Sequence, residues 1–277
     1  MTITYDDIKY KLQPPLDCSE IEDLRGQYFH NRLITNYENT DFSGCVLFHC
    51  FPSGFTNVIE VNPAQSEKDV ILTDLSGAYL VAADLKKASL RGVNLEGANL
   101  YDADLQEADL SGANLEGAIL NSAFLQNAKI YEANLKGAEL EDARLSFATI
   151  RDSDLHMAYL ETANLSEAII FRSNLDEASL RGADLFDANL VATSFKGATL
   201  EEATLENANL EWANFEDADL THANFENANL KWANFEDADL THANFENAKY
   251  NSETNFEGSN ITQEQKGVMT FIDVDED

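Results

Sequence analysis

Residues 206–225 read ENANLEWANFEDADLTHANF, and residues 226–245 read ENANLKWANFEDADLTHANF. The two stretches differ at one position only, Glu211 against Lys231. A stretch of twenty residues that is copied whole is a structural period, and a shorter period lies inside it. From Leu75 to Tyr250 almost every fifth residue is Leu, Phe or Ile. Two positions earlier stands Ala, or occasionally Ser, Thr or Val, and the residue between is mostly Asp or Asn. The unit is A-(D/N)-L-x-x.

A helix does not account for this spacing. Five residues advance a helix by about 140°, so the leucines would spiral around it. A continuous strand fails as well, because side chains five apart fall on opposite faces. The pattern fits a very short strand followed by a corner. The first and third residues of A-x-L share one inward face, and the two trailing residues turn the chain. The twenty-residue copy then makes four pentads one coil. Gly77, Gly97, Gly117, Gly137 and Gly197 share one corner at intervals of twenty or a multiple of it, as a positive-φ turn position demands. Ile130, Ile150 and Ile170 are likewise twenty apart and are expected to stack. No proline follows Pro63, as expected of stacked backbone ladders. About nine coils at ~4.8 Å predict a rod of roughly 43 Å.

These residues resemble the pentapeptide-repeat family, over residues 73–250. The resemblance implies an all-β fold: a right-handed four-sided parallel β-helix, with Leu75 through Phe245 as centre residues and Ala78 through Ala248 as small inward residues. It also implies a protein-binding scaffold. Some members are DNA mimics that bind DNA gyrase and protect it from quinolones, and the family is abundant in cyanobacteria.

The expected organisation is an N-terminal cap over 1–70, the repeat over 71–250, and a C-terminal cap with an acidic tail over 251–277. Ser19 and Glu22 have capping-box spacing and predict a helix near 20–30. Thr40 and Cys45 would point inward in an irregular first coil, and 60–69 would form a loop. At the other end the register slips by one residue at Phe256 and Ile261. Thr262 and Gln265 predict a short capped helix. Val268, Met269, Phe271 and Ile272 are expected to cover the last coil, and DVDED to be solvated.

The chain has 277 residues and a formal charge of −32, which disfavours direct binding to nucleic acid or to an anionic membrane. MTITYDDIKY has no basic or apolar leader region. With Cys18, Cys45 and Cys50 an odd count, the expectation is a cytoplasmic protein with reduced thiols. Dimerisation through an end or a face is left open by the residues.

No nucleotide, nucleophile-elbow or zinc-protease motif is present. His222 and His242 stack one coil apart near Asp219 and Asp239. A metal there is conceivable, but a pair copied with its repeat is the simpler reading. Cys45, His49 and Cys50 are close in sequence, but Cys45 and Cys50 would both take small inward positions and read as core thiols. The expectation is therefore no enzyme, no cofactor and no metal.

One face of the rod differs from the rest. Its strands centre on Leu90, Leu110, Ile130, Ile150, Ile170, Leu190, Leu210, Leu230 and Tyr250. It carries Arg91, Lys129, Arg151, Arg172, Lys231 and Lys249 outward, with Tyr131, Ile169, Phe171, Val191, Trp212 and Trp232. Arginine with exposed aromatics is typical of protein interfaces, and this face is the expected contact for an unidentified protein partner. The competing reading packs these residues under the N-terminal segment or over seams between coils. A second functional reading comes from charge. Between 71 and 250 stand 32 acidic and 12 basic residues. That is about one net charge per 2 Å of rod, near the ~1.7 Å of duplex DNA. Columns such as Glu206, Glu226 and Glu246 place like charges side by side, at a cost in stability. A DNA mimic that binds gyrase, another topoisomerase or another DNA-binding protein is the alternative.

Overall fold

The computed structural model describes residues 13–17, 28–30, 32–35, 46–48 and 75–273. Residues 75–250 form a four-sided solenoid. Parallel bridges join each coil to the next at a step of twenty residues, from Tyr79 with Asn99 to Asn229 with Lys249. The centre residues Leu75 to Phe245 and the inward residues Ala78 to Ala248 are buried throughout and form one continuous core.

Each pentad closes one corner. The Ala88 N–H donates to the Leu85 carbonyl at 3.0 Å, and the residue before Ala88, Lys87, has a φ of +60°. A hydrogen-bonded turn with positive φ at its third residue has the form of a type II turn. The remaining backbone groups pair between coils. The Leu85 N–H donates to the Asp104 carbonyl at 2.8 Å, and the Asp104 N–H returns to the Ala83 carbonyl at 2.9 Å. Every corner takes positive φ, whether it holds Gly97 or Phe147. The ladder therefore overrides the preference of L-residues for negative φ.

The Asp or Asn between Ala and Leu has a local task. Its side-chain oxygen accepts the backbone N–H two residues on, as Asp104 does from Gln106 at 3.0 Å. An Asn also donates to the Asn one coil below, as Asn134 does to Asn114 at 2.9 Å. Late in the rod the centre residues become Phe, in two columns. Phe215 lies 5.0 Å from both Phe195 and Phe235, and Phe225 lies 4.9 Å from Phe245. The columns meet edge to face, with Phe215 and Phe225 6.0 Å apart at 89°.

One corner departs from the rule, and it shapes the candidate site. At Ile130, Ile150 and Ile170 the strands lengthen to Lys129–Tyr131 (β5), Thr149–Arg151 (β6) and Ile169–Phe171 (β7), which form one parallel sheet. The inward position in the following coils is hydroxylic: Ser153, Ser173 and Thr193, all buried. The Ser153 hydroxyl donates to the Ile130 carbonyl at 2.9 Å and accepts from the Ala133 N–H at 3.2 Å. It thus stands between the two groups that a tight corner would join directly.

The C-terminal cap follows the expected register slip, since Asn234 bridges Asn255, twenty-one residues on. A helix spans Gln263–Gly267 with a full capping box between Thr262 and Gln265. The Gln265 amide nitrogen also donates to the carbonyls of Leu240 and Ala243, at 2.8 and 3.1 Å, closing backbone groups that no further coil would satisfy. Strand Thr270–Phe271 pairs in parallel with Lys249–Tyr250. Met269 packs against the core and the Phe271 ring meets Tyr250 of the last coil edge-on at 5.4 Å, while Val268 is 46% exposed. Tyr250, read as a buried centre, is only half-buried.

At the N-terminus, Gln13–Asp17 (β1) pairs in parallel with Arg32–Thr35 (β3), and Tyr28–His30 (β2) pairs with Val46–Phe48 (β4). The helix expected near 20–30 is corrected at its end, because 28–30 is a strand. The capping-box residues Ser19 and Glu22, the inward Thr40 and Cys45, the loop at 60–69 and most of the acidic tail lie outside the described residues.

Candidate interaction face

The four faces can be named by their centre residues: face I by Leu75 and Leu95, face II by Leu80 and Leu100, face III by Leu85 and Leu105, and face IV by Leu90, Ile130 and Leu210. Over 75–250 the first three faces carry nine carboxylates each, against two, one and three cations. Face IV carries six cations against four carboxylates. It alone has no net negative charge.

The aromatic and cationic residues of face IV form two clusters. The first stands on β5, β6 and β7. The widened corners extend these strands, so Tyr131, Arg151 and Phe171 become directly paired ladder neighbours. The Arg151 guanidinium lies 5.4 Å from the Phe171 ring, and that of Arg172 lies 4.9 Å from the same ring. Ile169 beside them is 42% exposed. Lys129 is exposed, and Tyr131 and Phe171 are half-buried.

The second cluster is Trp212 with Trp232. The rings stack at 5.0 Å and 3°. Both residues occupy positive-φ corner positions, at +63° and +60°. Lys231 sits 5.1 Å from the Trp232 ring, and its ammonium is 3.1 Å from Glu211, the one residue that distinguishes the copied repeats. Trp212 is 58% exposed, whereas Trp232 is half-buried. The coil of Val191 and Ala192 separates the two clusters.

The expected basic character of this face is reduced by ion pairs. Arg91 meets Asp109 at 3.0 Å, Arg172 meets Asp152 at 2.7 Å, and Lys231 meets Glu211. The Arg172 hydrogen bond is the largest cause holding Asp152 below the usual carboxylate range, and in return it raises Arg172. Burial would raise Asp109, but the Ser111 hydroxyl and N–H and then Arg91 outweigh it and leave Asp109 lowered. Arg91 stands at the start of the rod, apart from both clusters.

The sequence reading missed these counter-charges. Two of the pairs were available to it, because Arg172 with Asp152 and Lys231 with Glu211 are twenty apart. Arg91 with Asp109, eighteen apart, needs a diagonal reach. His222 and His242 stack at 4.9 Å, while Asp239 is engaged by Thr241 and Asn260. Among the described residues no group of three or more His, Cys, Asp or Glu is placed to hold a metal ion. No helix there is long and apolar enough to cross a membrane.

A parallel β-helix whose corners repeat every five residues defines a class of solenoid by itself. The family profile described as pentapeptide repeats matches overlapping segments that together span residues 73–249, and the chain belongs to that family. Its coil is accordingly the family's right-handed one. Among solved structures, HetL from the cyanobacterium Nostoc sp. strain PCC 7120, a protein involved in heterocyst differentiation regulation, is similar at 29% identity, over 89% of this chain and 87% of its own, with a TM-score of 0.30. A pentapeptide-repeat protein of the Arabidopsis thaliana thylakoid lumen, AT2G44920, is similar at 28% identity, over 39% of this chain and 71% of its own, with a TM-score of 0.33. QnrB1, a plasmid-mediated fluoroquinolone resistance protein, is similar at 22% identity, over 64% of this chain and 85% of its own, with a TM-score of 0.38. A search of curated protein sequences gave no significant match.

Proposed function

We propose that the chain is a cytoplasmic, non-enzymatic scaffold that binds a protein partner through face IV. One observation carries this reading: the only face without net negative charge is also the face that presents the stacked tryptophans and the Arg151–Phe171–Arg172 cluster. Burying a contact there avoids desolvating uncompensated carboxylates, a cost that the other three faces impose. Exposed Trp, Tyr and Arg are the side chains that most often dominate binding energy. The non-catalytic part of the reading is supported by the interior of residues 75–250, which is filled with Leu, Phe, Ile and Ala.

The test is site-specific photocrosslinking in cells. A crosslinker at Val191 on face IV should capture a defined protein that one at Glu202 on face II does not. Capture only from Glu202 would sink the proposal. A second reading, a DNA mimic bound by a topoisomerase or another DNA-binding protein, is supported by the carboxylate columns on faces I to III. It requires a partner that duplex DNA displaces and whose affinity falls steeply with salt.

A further inference from the structure

The corner column that holds the tryptophans runs Asp152, Arg172, Ala192, Trp212, Trp232, one residue per coil and all at positive φ. Its rungs are spaced like the tryptophan rings, 5.0 Å apart. Arg172 does not reach toward Ala192. Its guanidinium is drawn back to Asp152, one coil away in the other direction, and lies over Phe171. Trp212 is covered on one face by Trp232, and more than half of it is exposed, at 58%. Between Arg172 and Trp212 there are two coil steps, ~9.6 Å. Only the Ala192 methyl projects from the corner between them. Val191, the residue before Ala192, adds apolar surface at this corner.

We propose that this missing rung is a socket for one aromatic side chain of a protein partner, inserted parallel to Trp212. A flat ring at the Ala192 level lies about 4.8 Å from each neighbouring rung, the spacing at which the tryptophans already stack. On its other side stands Arg172, whose guanidinium is held back on Asp152, so the stack on Trp212 carries the contact. A cationic side chain would face Arg172 and a face of net positive charge. An acidic one would find Arg172 already paired to Asp152 and would lose the stack on Trp212. The proposal rests on the reading of face IV as the contact surface and names the group that the surface receives.

The experiment is selection of a random dodecapeptide phage library on the immobilised full chain, followed by titration of synthetic peptides. The protein has only two tryptophans, Trp212 and Trp232, so peptides without Trp can be followed by intrinsic emission from the site itself. Enriched peptides should share an aromatic residue. Affinity should fall up to about tenfold when that residue becomes Ala or when the protein carries Trp212→Ala. Ala192→Trp should have the same effect. It fills the gap from within, on a backbone whose φ of +56° already matches the tryptophan rungs, and its thermal unfolding should stay that of the parent. Peptides lost on Arg151→Glu but indifferent to Trp212→Ala and Ala192→Trp would overturn the socket and leave face IV standing. Peptides indifferent to all three substitutions, or no enrichment at all, would overturn both.

Discussion

Trp212 and Trp232 lie face to face, 5.0 Å between ring centroids and 3° between planes, each on a backbone turned to positive φ. The stack contributes about 0.5–1.5 kcal/mol, while left-handed backbone costs a bulky L-residue about 1–2 kcal/mol. The two nearly cancel. Trp212→Gly should therefore leave the melting temperature within a few degrees of the parent while weakening partner capture. Trp212→Val, β-branched at the same φ, should melt lower. A large loss of stability on Trp212→Gly would mean that the pair serves the rod and not its surface.

Phe215 is buried between two rings of its own column and meets the second column edge-on. Phe215→Ala should cost about 3–5 kcal/mol in denaturant unfolding, the range for a core ring replaced by a cavity. Phe215→Leu restores the residue that earlier coils use and should cost clearly less. Equal costs would indicate that the aromatic column is specifically required.

Ser153 and Ile130 should be energetically coupled. Ser153→Ala strands the Ile130 carbonyl and the Ala133 N–H in a buried corner, which predicts a loss of about 1–3 kcal/mol. Combining it with Ile130→Leu recreates the pairing used at the tight corners and should recover part of that loss. A double-mutant cycle on thermal or urea stability measures the coupling, and strict additivity would refute it.

Asp239 tests the C-terminal cap through pH. Its carboxylate accepts from the Thr241 hydroxyl and the Asn260 amide, both at 2.6 Å, and these bonds hold it below its ordinary value. A depressed folded pKa stabilises above the unfolded value, about 3.9, and this contribution is lost as pH falls through the folded value. The difference between Asp239→Asn and the parent should thus be largest at neutral pH, begin to shrink below about pH 4, and vanish once pH has fallen through the folded value. Hydrogen exchange at the Leu240 amide, which donates to Asn260, reports the change.

The period of five was readable because burial obeys it without exception from Leu75 to Phe245, and a one-residue error would turn Leu outward and Asp inward. The Thr262–Gln265 cap was readable because its bonds are local. The widened corners were not read from Ile130, Ile150 and Ile170, since their signal is joint: a β-branched centre in one coil and a hydroxyl twenty-three residues later. On face IV the residue types pointed to contact. Their pairing, exposure and division into two clusters depend on rotamers and on neighbours in adjacent coils, which no single stretch of sequence contains.

The step of twenty residues makes distance along this molecule a counted quantity. Two side chains on one face are separated by a whole number of coils, each adding ~4.8 Å. Duplicating a twenty-residue block, as 206–225 and 226–245 show, lengthens the molecule by one graduation and leaves every remaining residue on its own side. The protein is in this sense a ruler. The gap between the Phe171 cluster and the tryptophans is a graduation that could be reset by one insertion, without a change to either contact.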